Sequence, residues 1–458
     1  MSGLPAFPRD FTWGAATAAF QIEGATSADG RGTSIWDTFC AEPGRVKGGD
    51  TGEVACDHFH RYPEDVALLA DLGVDSYRFS VAWPRVQPDG RGAVNRAGLD
   101  FYARLVDELL GAGVQPCLTL YHWDLPQALE DDGGWRSRDT AARFADYATT
   151  VHAALGDRVP LWTTLNEPFC SAIVGHAQGR HAPGMRTGEP ALAAVHHLLL
   201  AHGLALQAMR AQRSGDEQFG ITLNLNAVTP RTDSAEDAAA ARRVEVLQNR
   251  SFTDPLLAGR YPQAEGEVWG DLTGFGFRED GDLAVIAQPL DFLGVNTYFP
   301  QYVRAAPYAE PDPARRTASD VAAIDDPPPH LPRSAMGWPV EGATIGRLMR
   351  WLRDTYPGLP PVYVTENGNS FPDVVRHDGS VPDPDRIAYL DAHLRELAAA
   401  ISDGVDVRGY YVWSLLDNFE WAHGYSQRFG LVHVDYPTQR RTPKASYAWY
   451  RDAIAAQR

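Results

Sequence analysis

Two stretches decide how this chain reads: Val159-Pro-Leu-Trp-Thr-Thr-Leu-Asn-Glu167 and Pro361-Val-Tyr-Val-Thr-Glu-Asn367. Each is a short apolar run, rich in β-branched and aromatic residues, that closes on an acid. Such runs mark strands buried on both faces. A strand ending in Asn-Glu or Glu-Asn delivers a carboxyl group at the carboxyl end of its sheet. One acid after a strand is ordinarily a polar cap. Two acids in matching contexts, Glu167 and Glu366, meet only if their strands share one sheet or barrel. In that case they form a carboxyl pair whose environments can push them toward different protonation states.

Working outward, the same strand-then-helix pattern recurs along the chain. Strands are expected near Thr12–Ala16, Ser76–Val81, Gln115–Tyr121, Leu161–Asn166, Gly220–Asn224, Phe292–Asn296, Val362–Glu366 and Gly409–Ser414. Helices are expected between them at Tyr62–Leu72, Gly98–Ala112, Asp139–Leu155, Pro190–Arg213, Asp237–Arg250, Ala343–Thr355 and Asp385–Asp403. In the second of these, Leu99, Tyr102, Leu105, Val106, Leu109 and Leu110 recur at three- and four-residue steps, which is one buried helix face. Gly73, Gly113 and Gly404 stand where helices end. Eight strands alternating with helices predict a single (β/α)₈ barrel spanning residues 1–458, with long loops at the carboxyl ends of its strands. No G-x-G-x-x-G opens a helix, which weakens the nucleotide-binding alternative. Residues 305–332, rich in Pro, Asp and Ala and without period, are expected to form a long exposed excursion after the sixth strand.

Composition narrows the partners. The 458 residues carry 41 Lys and Arg against 59 Asp and Glu, a formal charge of −18, which disfavours nucleic acid and anionic membranes. The amino-terminal sequence shows no basic-then-apolar leader pattern, and no run of 18 uncharged apolar residues stands out as a membrane span. Cys40, Cys56, Cys117 and Cys170 are scattered, so free thiols in a reducing cytoplasm are expected rather than a disulfide framework or zinc site. His196, His197 and His202 miss the i, i+4 step of a metal pair and are expected to be packing, capping or surface residues. No cofactor and no metal are called for; homo-oligomerisation stays open.

Polar and aromatic residues crowd the strand ends: Gln21 and Glu23, Arg78 and Trp83, Tyr121-His122-Trp123-Asp124, Asn166-Glu167, Asn296-Thr297-Tyr298, Glu366-Asn367, then Trp413 and Asn418-Phe-Glu420-Trp421. In a barrel all of these reach one rim. Indole faces suit the C–H surface of a sugar ring, and Gln, His, Asn and Glu suit its hydroxyls. Paired carboxyl groups of unlike environment are what glycosidic bond cleavage requires.

With these residues together the chain resembles glycoside hydrolase family 1, the β-glucosidases and their relatives. The resemblance rests on FTWGAATAAFQIEGA, YRFSVAWPR, YHWDLPQALED, TLNEP, VTENG and NFEWAHGYSQRFGLVHVDY in that order, and it covers about residues 7–450. It implies a retaining exo-β-glycosidase acting on small β-glycosides and short oligosaccharides such as cellobiose, and on galactosides and fucosides too. Position by position, it implies that Glu167 is the acid/base and Glu366 the nucleophile. Gln21, His122, Asn166, Trp413, Glu420 and Trp421 correspond to the nonreducing-sugar subsite. Asn296 and Tyr298 follow the sixth strand, the tyrosine holding the nucleophile, and Arg78 keeps it ionised. Trp338, and more loosely Cys170, correspond to the aglycone side. His423, His433 and His176 depart from the family pattern.

The residues support unequal roles independently. Arg78 and Tyr298 are expected to lower the pKa of Glu366, while a drier setting and the charge of Glu366 keep Glu167 protonated. Separation of the two carboxyl groups is expected to be about 5–5.5 Å, with retention of configuration. Two competing readings are a 6-phospho-β-glycosidase, disfavoured by the acid at Glu420, and a catalytically inactive sugar-binding barrel, disfavoured by two intact carboxylates.

Overall fold

The computed structural model describes residues 3–213 and 215–458. Eight parallel strands close into a barrel: β1 Thr12–Ala16, β2 Ser76–Ser80, β3 Gln115–Tyr121, β4 Leu161–Asn166, β5 Gln218–Asn224, β6 Phe292–Asn296, β7 Val362–Asn367 and β8 Val407–Trp413. Each strand pairs with its neighbour in sequence, and β8 returns to β1, Thr12 facing Gly409 and Ala16 facing Trp413. This is the (β/α)₈ architecture expected from the strand count, and it places every strand's carboxyl end on one face. Every residue of β2, β4 and β6 is buried, because helices cover the outside and side chains fill the inside, and the polar members Arg78 and Asn166 are enclosed against one another.

Helices wrap the barrel at or within a few residues of their expected bounds, among them His58–Leu72, Arg96–Gly111, Asp139–Leu155 and Pro384–Ser402. Gly73 ends the first with φ +74, a left-handed conformation that glycine adopts without steric cost. The helix Glu189–Gln212 is long and apolar enough to cross a membrane, which the run-length reading passed over. It is a core element instead: 83% of its most apolar 18-residue window is buried in the protein. His196, His197 and His202 lie on it, all buried. His196 bonds Asp282 at 2.8 Å, His197 the Trp135 carbonyl oxygen at 3.0 Å and His202 the Thr164 hydroxyl at 2.7 Å. They are packing residues, none of them at the surface.

Residues 305–332 are less irregular than their composition suggests. Ala323–Asp325 forms a strand antiparallel to Gln301–Ala305, which also pairs with Val228–Pro230, making a small sheet beside the barrel mouth. Asp237–Arg250 is helical through Glu245 and then widens over Val246–Arg250.

An enclosed ion cluster anchors the chain beyond β8. Lys444 Nζ reaches Asp373 at 2.5 Å and Asp417 at 2.6 Å, all three side chains sealed from solvent, and Arg428 adds a second cation to Asp417 at 2.7 Å. Arg386 bridges Asp373 and Asp383. Removing one partner from such a cluster leaves buried charge uncompensated. Lys444→Met should therefore cost about 3–5 kcal/mol of stability, read as a lowered urea midpoint.

Candidate active site

Both carboxyl groups sit where strand register slips. Pairing of β4 with β5 shifts between Thr163 and Asn166, and pairing of β7 with β6 shifts between Val364 and Glu366. A register irregularity re-aims the side chains beyond it, and here it turns Glu167 and Glu366 into the barrel mouth. Glu167 also holds φ +47, a region that residues with side chains seldom occupy outside strained functional positions. After Glu366-Asn367 only glycine fits: a Cβ on Gly368 would stand 1.8 Å from the Trp413 carbonyl oxygen.

A continuous hydrogen-bond net joins the strand ends. Arg78, 1% exposed, donates to Glu366 Oε1 at 2.5 Å and to Asn166 Oδ1 at 2.7 Å. The Tyr298 hydroxyl donates to Glu366 Oε2. Asn296 Nδ2 donates to Glu167 Oε1 at 2.7 Å and to Asn166 Oδ1 at 3.0 Å, and Asn296 Oδ1 accepts from Thr365 at 2.8 Å. With Asn166 Oδ1 thus occupied, its amide donates to His122 Nε2 at 3.1 Å. Residues on or just beyond the ends of β2, β3, β4, β6 and β7 thereby fix one another in one net of polar contacts.

The two carboxyls keep unequal company. Burial raises the pKa of Glu366, while the Arg78 guanidinium and the Tyr298 hydroxyl oppose it. The expectation that these partners bring it below the ordinary carboxylate range is corrected, because burial outweighs them. Glu167 has no cation in contact. Burial and the charge of Glu366 raise its pKa, with the Asn296 amide and the Cys170 thiol pulling it back only in part. Of the two, Glu366 therefore ionises first and Glu167 holds the proton. Glu420 is a third acid in the same pocket, pushed up to about 8 by burial and then by Glu366 and Glu167.

The cavity they share measures about 430 Å³. Of the candidate residues, His122, Glu167, Cys170, Asn296, Tyr298, Trp338, Glu366, Trp413, Glu420 and Trp421 line it. Gln21, Arg78 and Asn166 stand behind that wall, fully buried. Gln21 anchors the loop after β8, donating to Asn418 Oδ1 at 3.0 Å and the Phe419 carbonyl at 2.9 Å. Trp413 and Trp421 each lie nearly parallel to the His122 ring, with centroids 6.0 Å away. Polar atoms without a protein partner include Gln21 Oε1, His122 Nδ1 and Glu420 Oε2. On the other side, Trp338 packs against Tyr298 and Phe299.

Several rim residues belong elsewhere. Trp83 is core, stacked on Tyr147, and Glu23 is locked to Arg85 at 2.9 Å and the Tyr102 hydroxyl at 2.7 Å. Trp123 lines the cavity and donates its indole N–H to the Asn166 carbonyl at 2.9 Å. Asn224, Asn226, Gln301, Val321 and Ile324 also line the cavity, and neither their type nor their spacing marks them as site residues. His423 lines it as well; His176 is buried against the Ser171 carbonyl, and His433 lies in a carboxyl-terminal hairpin.

A parallel barrel whose mouth holds an ion-paired carboxyl, a second carboxyl of raised pKa and a tryptophan-lined pocket is the architecture of a glycoside-cleaving enzyme. Comparison with known proteins makes the family explicit. The chain belongs to glycosyl hydrolase family 1, whose model matches residues 4–458. It is 52% identical over 456 residues to thermostable β-glucosidase B of Thermobispora bispora, covering 99% of this chain and 91% of that protein. It is 48% identical over 459 residues to a bifunctional β-D-glucosidase/β-D-fucosidase of Bifidobacterium breve, covering 98% of each. The psychrophilic β-glucosidase BglU of Micrococcus antarcticus superposes with a TM-score of 0.93 at 51% identity over the whole of both chains.

Proposed function

We propose that the protein is a retaining exo-β-glucosidase in which Glu366 attacks and Glu167 serves as acid, then base. The observation that carries this reading is the unequal company of the two carboxyls. Ionised Glu366, steadied by Arg78 and Tyr298, forms a bond to the anomeric carbon while the glycosidic C–O bond breaks and Glu167 passes its proton to the leaving oxygen. Esterified Glu366 is neutral, so the repulsion that raised Glu167 disappears and its carboxylate can take a proton from water. That water attacks the face the aglycone left, releasing the sugar with its configuration retained and Glu366 free. The mechanism requires carboxyl groups about 5–5.5 Å apart.

The sugar's hydroxyls have partners in the unpaired atoms of His122 and Glu420, backed by Gln21 behind the wall, and its C–H face has Trp413 and Trp421. Gluco, galacto and fuco configurations all fit such a set, and the aglycone extends past Trp338. Four unpaired cysteines accord with a reducing cytoplasm, and the charge of −18 with small neutral substrates rather than nucleic acid or anionic membranes. We infer a single catalytic barrel over residues 1–458.

A pKa of about 8 leaves Glu420 mostly protonated at neutral pH in the free pocket, so its repulsion of phosphate is weaker than its residue type suggests. The stronger argument is that Arg180 is the one Lys or Arg among the described residues lining the cavity, so a phosphate beside Glu420 would be desolvated near two other acids. With p-nitrophenyl β-glucoside and its 6-phosphate compared side by side, kcat/KM should favour the unphosphorylated sugar by roughly 10²-fold or more. Faster turnover of the phosphate would sink the reading, and sugar binding without turnover of any aryl β-glycoside would make the chain a binding protein.

A further inference from the structure

Glu167 receives one hydrogen bond on each carboxyl oxygen, and the two donors differ in kind. Oε1 takes the Asn296 amide described above. Oε2 takes the thiol of Cys170, Sγ lying 3.1 Å away. Cys170 follows Glu167 by three positions, and the intervening turn is fixed by the Cys170 N–H donating to the Glu167 carbonyl at 2.9 Å. The segment that follows, Cys170–Ala177, winds in wide turns of the kind that often mark functional sites, closing with the Gln178 N–H on the Ile173 carbonyl at 2.8 Å. The thiol is itself held from behind. Asn224, at the end of β5, donates its amide to Cys170 Sγ at 3.8 Å, and the Asn224 carbonyl is pinned by Gln248 at 3.0 Å. A directed chain results: Asn224 amide to sulfur, thiol proton to Glu167.

We propose that Cys170 is a positioning residue for the acid/base, relaying the Asn224 hydrogen bond to Glu167 and setting the pH at which that group loses its proton. The proposal rests on the reading of Glu167 given above. A thiol is a weaker and longer donor than a hydroxyl or an amide, so it orients the carboxyl without over-stabilising the ionised form. Burial and the charge of Glu167 hold the Cys170 proton on sulfur, which keeps it a donor. A hydroxyl in its place would favour the carboxylate more strongly, and a methyl group not at all. The other charged or titratable groups that act on this pair are Glu366 on β7, Arg78 on β2, Tyr298 and Glu420 at the rim, and Arg180 beyond the wide-turn segment. None of them changes with the identity of residue 170.

The test is the pH dependence of kcat/KM on phenyl β-glucoside, whose leaving group needs a proton, for wild type, Cys170→Ser, Cys170→Ala, Asn224→Ala and Glu167→Gln. The alkaline limb should move down by about half a pH unit in Cys170→Ser and up by a similar amount in Cys170→Ala. Asn224→Ala should shift it in the same sense as Cys170→Ala, by less. Each protein is checked for an unchanged melting profile, so a variant that fails to fold leaves the others to decide. An alkaline limb unmoved, or moved the same way in Cys170→Ser and Cys170→Ala, while Glu167→Gln abolishes the limb, overturns the role of Cys170 alone. A limb that survives in Glu167→Gln overturns the acid/base reading on which it rests.

Discussion

Glu366→Gly is expected to lose at least roughly 10⁴-fold in kcat on p-nitrophenyl β-glucoside and to regain turnover when azide is added, releasing α-glucosyl azide. Loss follows because Glu167 is not placed to attack in place of Glu366. Arg78 and Tyr298 bind its two oxygens, whereas Glu167 is held the other way by Asn296 and Cys170. Glycine leaves a space beside Arg78 that suits a small anion, since the guanidinium is 1% exposed and has lost its counter-charge. Azide arriving there attacks from the nucleophile's face, so its product has inverted configuration at the anomeric carbon. Glu167 still supplies a proton to the leaving group. NMR of the azide adduct distinguishes the outcomes: a β-azide, or activity undiminished in the mutant, refutes Glu366 as nucleophile.

How far the sequence carries such a prediction varies along the chain. All eight barrel strands were legible to within two residues, because strands buried on both faces read as short, mostly apolar and β-rich runs, and TLNEP and VTENG mark where two of them stop. The helices were legible where one face is buried, as in Arg96–Gly111. The helix Glu189–Gln212 was legible as helix but not as a largely enclosed one, since buried histidines with polar partners look the same in sequence as exposed ones. Val321, Ala323 and Ile324 follow no period because they line the cavity, and two of them the small sheet, while Val321 and Ala323 also pack on the core, so residues 305–332 read as plain loop.

The site divides along similar lines. Residue types and their strand-end positions named Glu167, Glu366, Arg78, Asn296 and Tyr298, and the structure joins all five in one net. Electrostatics was less legible. Sequence shows Arg78 as a cation available to Glu366 but not the burial that competes with it, and so the direction of the net shift was misjudged. Glu420 is a similar case: its carboxylate character was read from residue type, while its proton is retained through enclosure beside two other acids. The ordering, Glu366 ionising before Glu167, rests on contact rather than on the sign of either shift, because only Glu366 touches a cation.

That ordering makes Glu167→Ala the sharper test of mechanism, because its effect must depend on the leaving group. With alkyl glucosides or cellobiose, whose departing oxygen needs a proton, kcat/KM should fall about 10²- to 10⁴-fold. With 2,4-dinitrophenyl β-glucoside, whose oxygen leaves without one, formation of the glycosyl-enzyme should be nearly spared. Its hydrolysis should then slow, since water has lost its base, and a burst of dinitrophenol should precede a slow steady state. Azide, which needs no base, should accelerate that steady state and yield the β-azide, the opposite anomer to that from Glu366→Gly. The pH profile follows the sign of the shift. Wild type needs Glu167 protonated, and burial with the charge of Glu366 raises its pKa, so kcat/KM should fall as pH rises through that elevated value. The alanine variant has no such group, and its alkaline limb should flatten. Equal losses for all leaving groups, with the limb retained, would show that Glu167 supports the pocket without moving a proton.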